Sequence, residues 1–468
     1  ADEVTLSGIV GRAAFSAGQF HYQSDGYREN NDVEYDIYTL FGQAALTDTL
    51  SLQAELRSRR SEQGDLAQNF DPDDFSRDSR TDIDQDTARV GLRYSPTPRV
   101  DLLASVIVSD RESSQIQAED EFTFTDDIKQ TGSDTQVQGI YRGDLFNVTA
   151  GGGFASIRQR NVATIEIPAL GESFPTTERF TNRQTNAYGY VNLTPLRDVI
   201  VTLGLSGDKF ENGVFDFSEL NPKAGVQWDV TDRVRLRAAA FRTFKRLLIV
   251  DQTLEPTQIA GFNQFTDEFN QTSAWVKGVG LDATLARGGF GSLFGGVEYV
   301  RRDLDVPLVE QRDPPEYRTD ERAEDEARAY LYWAAARDWA VSAEAKWEEI
   351  DNSNQQIDVA QLRTLTVPVQ VRYFAENGLF ARVGANFVSQ QVEERLPQSF
   401  DQTRENFVTV DAALGFRLPN RRGSISLEVR NILDEEFLYQ DLDSVTNSLT
   451  RPRFIPARTV LGRISLTF

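Results

Sequence analysis

The chain has 468 residues, and its 72 acidic and 49 basic side chains give a formal net charge of −23. It contains no Cys and a single His, His21, which excludes disulfides, thiolate zinc sites and metal sites built on pairs of histidines. The acidic excess disfavours nucleic acid as a partner, because phosphate binding requires clustered Lys and Arg. These counts argue against most enzyme classes.

Segments of strict two-residue alternation recur along the chain to its last residue. In chain order they cover residues 50–59, 339–348, 379–387, 408–418, 424–430 and 459–468. In the second of them, Trp339 and Trp347 share an apolar face, whereas Glu344 and Lys346 lie on the other face. A period of two with one apolar and one charged face predicts β-strands. The chain has no run of about 18 apolar residues, so no transmembrane helix is predicted.

Three features favour a membrane barrel over a soluble β-sandwich. The polar faces are charged along whole strands, which is typical of a water-filled lumen. Trp339, Trp347 and Tyr373 lie towards strand ends, where membrane barrels carry aromatic girdles. Short and long connections also alternate along the chain. We therefore predict an all-β fold, namely a transmembrane antiparallel up-and-down β-barrel.

Nine short polar or Gly-containing connections set the predicted number of strands. They lie near residues 47–49, 96–98, 142–144, 195–197, 231–233, 288–289, 337–338, 376–378 and 419–423. If both termini are periplasmic, nine such turns imply about 20 strands, within a range of roughly 18 to 22. The short turns are then periplasmic, the long loops are extracellular, and residues 1–468 form a single barrel domain.

The acidic residues are predicted to lie mainly in the long loops, at residues 71–86, 120–127, 313–326 and 434–443. Asp71, Asp73 and Asp74 are the candidates for a Ca²⁺ site or for divalent-cation bridges to lipopolysaccharide, because hard cations take oxygen ligands. Their spacing matches no fixed cation-binding loop, so a solvated loop face is the favoured interpretation. No cofactor is predicted.

The loop from residue 243 to residue 273 is predicted to fold inward. A barrel of about 20 strands encloses a lumen wide enough for an aqueous path or a plug, and an inward loop would restrict it. This loop contains Phe244 and three further aromatic residues, Phe262, Phe265 and Phe269. The last three are the candidate ligand-binding residues, and simple packing inside the barrel mouth is the favoured alternative.

The sequence offers no catalytic constellation. His21 lies between Phe20 and Tyr22, where a strand histidine facing the lumen or the membrane interface is favoured over a catalytic base. Glu348 and Glu349 are adjacent and therefore point to opposite faces of their strand, which excludes a carboxylate pair. We therefore expect that the chain is not an enzyme.

Stretches near the C-terminus carry a family resemblance. Residues 427–434, LEVRNILD, look like a V-x-N-L-x-D element with Ile432 at the Leu position, and residues 463–468, RISLTF, end the chain on an alternating strand. With residues 221–228 and 236–239, these stretches resemble strands in the barrel of TonB-dependent outer-membrane receptors. The resemblance implies that the terminal Phe468 is the signal read by the barrel-assembly machinery.

A closer resemblance involves residues 18–22, 25–32, 69–75 and 255–265. These stretches are similar to a group that fuses periplasmic tetratricopeptide repeats to a TonB-receptor-like barrel. The resemblance implies a helical repeat domain upstream of this chain. TonB-dependent receptors also carry a globular plug before the first strand, and none fits ahead of Val4, so the plug is expected to be absent.

Two functions are compatible with this architecture. The first is a porin-like transport barrel, TonB-receptor-like in ancestry, for uptake or export of an unidentified substrate by a Gram-negative bacterium. The alternative is a sealed barrel that acts as a surface anchor or assembly partner for other proteins. The expected location is the outer membrane. The expected partners are lipid, lipopolysaccharide, the barrel-assembly machinery and a periplasmic or surface protein, with no nucleic acid.

Overall fold

A computed structural model describes most of the chain. The described residues are 1–73, 75–118, 122–167, 169–213, 216–250, 252–264, 270–289, 291–310, 316–353, 359–396, 399–441 and 453–467. Within these ranges the regular structure is strand, apart from the short 3-10 turn Pro419–Arg421. A helix long and apolar enough to cross a membrane does not occur among them.

Twenty-three strands follow one another in these ranges. They are β1 (Asp2–Val10), β2 (Ala13–Ser24), β3 (Val33–Ala45), β4 (Leu50–Gln63), β5 (Arg80–Thr97), β6 (Val100–Ala118), β7 (Thr123–Arg142), β8 (Phe146–Ile167), β9 (Glu172–Leu196), β10 (Val199–Glu211), β11 (Asp216–Thr231), β12 (Val234–Phe244), β13 (Gln258–Ile259), β14 (Phe262–Asn263), β15 (Ser273–Ala286), β16 (Ser292–Glu310), β17 (Glu316–Ala334), β18 (Trp339–Asn352), β19 (Val359–Phe374), β20 (Leu379–Leu396), β21 (Ser399–Arg417), β22 (Gly423–Arg430) and β23 (Thr459–Leu466).

All strands except β13 and β14 belong to one antiparallel sheet, in which each strand pairs with the next along the chain. The 21 strands of this sheet confirm the predicted all-β antiparallel fold and lie within the predicted range. The strand that the sequence reading missed is β1, which returns into β2 through Gly11 and Arg12.

The extra strand changes where the chain begins and ends relative to the sheet. With an odd number of antiparallel strands, the first strand begins at one edge of the sheet and the last strand ends at the other edge. The expectation that both termini lie at the edge with the short turns is therefore wrong for the described strands. All nine predicted short connections do lie at one edge, here called the short-turn edge. The opposite edge, here called the long-loop edge, carries the four longest connections, residues 25–32, 64–79, 245–272 and 431–458, whereas its other connections have two to six residues.

One face of the sheet is apolar and exposed. Its aliphatic side chains that are more than half exposed include Leu40, Leu56, Val297, Leu414 and Ile464. Trp339 and Tyr373, predicted for an aromatic girdle, lie on this face with ring centroids 4.7 Å apart. A continuous apolar surface of this kind is unfavourable in water and suits contact with lipid.

The sheet curls so that its other, polar face encloses a lumen. Phe70, in the connection between β4 and β5, packs against Ile350, Leu362 and Val392 of β18 to β20. Because β4 and β18 are far apart in the order of the sheet, this contact requires a strongly curved sheet. No ladder between β1 and β23 is present in the described residues, so full closure of the barrel stays a prediction.

Many strands are longer than a bilayer requires. Strands β7, β8 and β9 have 20, 22 and 25 residues, whereas roughly 9–11 residues cross the hydrocarbon core. Several acidic stretches that were predicted as loops are consequently strand. Asp82, Asp84 and Asp86 belong to β5, and Asp320 and Glu324 belong to β17. The prediction that the acidic residues lie mainly in loops was wrong for these stretches, because the paired strands continue beyond the membrane into water.

Candidate functional site: a loop folded into the lumen

The connection between β12 and β15, residues 245–272, folds into the lumen and is here called the inner loop. Its two ends are held together at the long-loop edge. The Lys245 N–H donates to the Thr272 carbonyl at 2.8 Å, and the Gln271 N–H donates to the Lys245 carbonyl at 2.8 Å. This closed neck directs the residues between it inward, as the sequence predicted.

The tip of the inner loop is the hairpin β13–β14, which packs against the wall. Ala260 and Gly261 form its turn with φ of 48° and 88°, as a tight two-residue hairpin turn requires. Ile259 is 0% exposed and Phe262 is 2% exposed. They belong to an apolar cluster with wall residues that include Phe241, Val276 and Leu304.

Two wall glycines leave the space that the hairpin occupies. A Cβ atom on Gly225 of β11 would lie 2.8 Å from Cβ of Ala260. A Cβ atom on Gly278 of β15 would lie 2.5 Å from the ring of Phe262. Real Cβ contacts are not this short, so larger residues at these positions would displace the hairpin.

Glutamine side chains of the wall bind the backbone of the first half of the inner loop. The Leu247 N–H donates to Oε1 of Gln184 at 2.8 Å, and the Leu254 N–H donates to Oε1 of Gln136 at 2.7 Å. Nε2 of Gln138 donates to the Leu254 carbonyl. These contacts satisfy buried peptide groups without forming a regular strand with the wall.

A buried ionic cluster joins the two halves of the inner loop to the wall. Nε of Arg246 lies 2.8 Å from Oδ1 of Asp208 on β10, and its Nη2 pairs with Glu255, also in the inner loop. The three side chains are 6%, 2% and 1% exposed. Asn221 of β11 adds a hydrogen bond of 3.0 Å to Oδ2 of Asp208. Arg246, Asp208 and Glu255 are here called the Arg246 cluster.

Further polar groups extend the Arg246 cluster. The Tyr190 hydroxyl donates to Glu255, and Nε2 of Gln264 donates to the Tyr190 hydroxyl at 3.3 Å. The Thr243 hydroxyl donates to the Gln264 carbonyl at 2.6 Å. The inner loop is therefore held by an apolar tip and by a buried polar stem.

The lumen between the hairpin and the short-turn edge is lined by charged groups. Arg237 lies 5.1 Å from the centre of the Phe262 ring and pairs with Asp282 at 2.7 Å and Glu298 at 2.8 Å. A cavity of about 680 Å³ opens below it, with Arg235 and Tyr330 among its lining residues. This side of the hairpin is suited to water and to polar solutes.

Two other long connections meet across the lumen and are here called the crossing loops, residues 64–79 and 431–458. The Gln68 N–H donates to Oδ2 of Asp441 at 3.0 Å, and the Asp441 N–H donates to the Gln68 carbonyl at 2.9 Å. The Phe70 N–H donates to Oε1 of Gln440 at 3.0 Å. Gln390 of β20 binds the Gln440 backbone from the wall, at 2.7 and 2.9 Å.

Aromatic packing holds the second crossing loop against β21. The rings of Phe407 and Phe437 stack with centroids 3.9 Å apart, and Tyr439 contacts Phe407 edge-on. Tyr439 is 2% exposed, and this burial raises the pKa of its hydroxyl to about 12. The neutral phenol is therefore strongly favoured in the folded loop.

The predicted aromatic residues have different outcomes. Phe262 is packed in the hairpin and Phe244 is 3% exposed, as the packing interpretation predicted for the loop. Phe265 and Phe269 lie outside the described residues, and so does the predicted assembly signal Phe468. A ligand-binding role for Phe262, Phe265 and Phe269 stays a prediction.

The predicted acidic cation candidates do not gather around one point in the described residues. Asp71 and Asp73 are exposed, and the Asp73 N–H donates to Oδ1 of Asp71 at 2.9 Å, which is a local turn. Asp74 lies outside the described residues. The sequence reading also missed the Arg246 cluster, because no motif marks Asp208 and Arg246 as partners.

A curved antiparallel sheet with an apolar exterior and a polar, loop-crossed lumen is the architecture of outer-membrane transport barrels. The chain belongs to the family described as TonB dependent receptor-like, beta-barrel, whose model matches residues 108–432. This membership confirms the receptor-like resemblance. It is also consistent with the expectation that the chain is not an enzyme. No curated protein sequence matches the chain.

Solved structures share the fold at low sequence identity. The ferric yersiniabactin uptake receptor FyuA of Yersinia pestis has a TM-score of 0.71 at 14% identity, covering 93% of this chain and 73% of that one. The ferric citrate transporter FecA, unliganded, has a TM-score of 0.71 at 12% identity, covering 100% and 75%. The ferripyoverdine receptor of the outer membrane of Pseudomonas aeruginosa has a TM-score of 0.65 at 12% identity, covering 93% and 66%.

Proposed function

We propose that the chain is an outer-membrane transport barrel whose path is closed by the inner loop in the state described here. The observation that carries the proposal is the polar attachment of this loop. Its stem is bound to the wall by Arg246, Glu255 and wall glutamines, above a cavity lined by charged groups. A barrel that served only as an anchor would need no charged cavity behind a loop.

The family and the fold neighbours support transport as the class of function. The three neighbours named above are described as an uptake receptor, a transporter and a receptor, each for a ferric ligand. We extend to this chain only the class, namely passage of a solute, because the identities are low.

The two edges of the sheet support a proposed orientation in the membrane. The short-turn edge faces the periplasm, the long-loop edge faces the outside, and residues 1–468 form one barrel domain. Lipid and lipopolysaccharide surround the apolar face, and the barrel-assembly machinery inserts the chain with Phe468 as its signal.

Planar-bilayer conductance of the purified barrel tests the proposal. In one variant, residues 247–270 are replaced by Gly-Gly-Ser, which the neck at Lys245 and Thr272 can accommodate because it is already closed. We expect low conductance for the unchanged chain and severalfold higher conductance for the shortened variant. Equal, near-zero conductance for both folded proteins would contradict transport and favour the sealed anchor.

A reversible lock provides the matched control, because the chain has no Cys of its own. In the double variant G225C/A260C, the Cβ atoms of the two cysteines would lie about 1 Å closer than the ~3.8 Å of a disulfide. The hairpin therefore needs to move only slightly away from the wall for the disulfide to form. We expect oxidation to abolish the rare opening events of the intact loop and reduction to restore them. The two single-Cys variants should show no redox response.

A further inference from the structure

The single histidine of the chain lies on the outward face of the sheet, next to two carboxylates. His21 of β2 is directly opposite Asp36 of β3 in the antiparallel register. Nδ1 of His21 lies 3.0 Å from Oδ1 of Asp36. Glu34 precedes Asp36 by two residues in the same strand and therefore shares its face. Two adjacent, paired strands thus bring three ligand-type side chains together.

The donor atoms of these residues converge closely enough to share one ion. One ring nitrogen of His21 and one carboxylate oxygen each of Glu34 and Asp36 all lie within 4.8 Å of one another. Two ligands at ~2.0–2.2 Å from a zinc ion are at most ~4.4 Å apart, so small rotamer changes complete the set. Among the described residues, His21, Glu34 and Asp36 form the group of three or more His, Asp or Glu side chains whose donor atoms lie this close together.

We propose that His21, Glu34 and Asp36 bind a divalent transition-metal ion, with zinc as the reference case. Imidazole nitrogen with two carboxylates is a donor set that suits zinc and its neighbours, whereas Ca²⁺ and Mg²⁺ take oxygen ligands. Three protein ligands leave at least one position for water or for a ligand from another molecule. The site is separate from the lumen and does not depend on the proposed transport function.

The surroundings of the three residues favour a cation. Asp2 of β1 is directly opposite His21 and lies on the same face, which adds a third negative charge. The nearest cation in register is Arg60, which is opposite Asp36 but pairs with Asp84 at 3.3 Å. The His21 and Asp36 side chains are 28% and 30% exposed, so an ion can reach them from water.

The position along the strand places the site at the margin of the apolar surface. Tyr38 and Leu40, which follow on the same face towards the short-turn edge, are each 53% exposed. A bound ion would therefore lie at the boundary between the lipid-facing surface and the water-exposed ends of the strands. Strand positions also hold the ligands more rigidly than a loop would.

Zinc titration of the complete barrel in detergent tests this proposal, with the protein purified on a tag free of histidine. Isothermal titration with ZnCl₂ should give one equivalent with a dissociation constant in the micromolar range. The ¹⁵N spectrum of the ring is diagnostic, because every histidine signal comes from His21. We expect its ring-nitrogen resonances to shift in step with the calorimetric binding curve, and CaCl₂ in excess should not displace zinc.

Substitutions separate this site from general carboxylate binding. H21N should abolish the one-equivalent binding, and E34Q and D36N should each weaken it at least about tenfold, since even outer-shell partners contribute that much. D144N, which removes an exposed carboxylate at the short-turn edge that pairs with Arg99, should leave it unchanged. The heat-dependent mobility of each variant on a detergent gel shows whether the barrel is folded.

Three results would overturn the proposal. The first is that the folded protein binds no zinc at a concentration 100-fold above the expected micromolar dissociation constant. The second is that folded H21N still binds zinc, and the third is that an equal amount of calcium displaces zinc. The first would leave His21 and Asp36 as a simple hydrogen-bonded pair. Conductance plays no part in any of these measurements, so failure of the metal site and failure of the transport proposal are distinguishable.

Discussion

The inner loop and the crossing loops both occupy the lumen, but they are held there by different interactions. The inner loop depends on the Arg246 cluster and on glutamines, with a small apolar tip. The crossing loops bind each other through their backbones at Gln68 and Asp441 and stack Phe437 on Phe407. Buried ion pairs add little net stability, yet breaking one partner away is costly. They therefore suit a loop that is either fully attached to the wall or fully released from it. Stacked rings and backbone pairs suit a permanent attachment, and they hold the crossing loops against β18 to β21, away from the wall strands that the inner loop contacts.

The largest expected effect comes from filling the space that the hairpin uses. G278L places a side chain where the Phe262 ring lies, so we expect the hairpin to leave the wall and the conductance to approach that of the shortened variant. G189L is the matched control, because a Cβ on Gly189 meets nothing within 4 Å. Unchanged conductance in folded G278L would show that the hairpin does not close the path.

The next effect is the loss of the Arg246 cluster. R246A leaves the Asp208 and Glu255 carboxylates buried without their cation, which should lower the free energy of opening the inner loop by about 3–5 kcal/mol. Hydrogen exchange of residues 246–264 measures this change, and conductance should rise in parallel. R99A removes an exposed pair with Asp144 at the short-turn edge and should change neither.

A smaller and more local effect is expected in the crossing loops. F437A removes the ring stacked on Phe407 and should destabilise residues 431–441 by about 3 kcal/mol. Hydrogen exchange should increase there and stay constant in the inner loop, because the two layers have separate attachments. F174A, at a half-exposed position on β9, is the control. Faster exchange in both layers after F437A would show that they open together.

The smallest effect is expected from alkaline pH. The pKa of Tyr439 is about 12 in the folded loop because of burial, and an exposed tyrosine has a pKa near 10. A raised folded pKa gives stability that is complete below about pH 10 and is lost as the pH rises through about 12. Exchange of residues 431–441 should accelerate over this window in the unchanged chain and much less in Y439F. A response at pH 7 to 9 would contradict this assignment.

The sequence predicted the fold well because contact with lipid requires every second residue of a membrane-spanning strand to be apolar. Alternation identified the outward residues Leu427 and Ile464, and turn residues identified nine of the ten short connections. Strand β1 was missed because the turn at Gly11 and Arg12 is short and follows a segment with both Ile9 and Val10 apolar. Alternation cannot show where a ladder passes from lipid into water, which is why acidic strand ends were read as loops.

The candidate site was only partly predictable for a different physical reason. Four phenylalanines in one loop favoured packing inside the barrel mouth, because exposed rings are unfavourable in water. The partners of Arg246 depend on which wall strand the loop meets, and local sequence carries no information about that. The same holds for His21, whose partner Asp36 is identified only by the register of β2 and β3.

The length of β8 and β9 has a consequence for how a cell carrying this chain meets its environment. At ~3.3 Å per residue, the 25 residues of β9 extend ~80 Å, and a tilt of about 45° still leaves a rise of ~58 Å against a hydrocarbon core of ~30 Å. Residues 172–179 are exposed along this projection. Antibodies, phages and neighbouring cells would therefore first contact hydrogen-bonded strands that project from the membrane. Epitopes on these strands should keep their conformation under conditions that disorder ordinary surface loops.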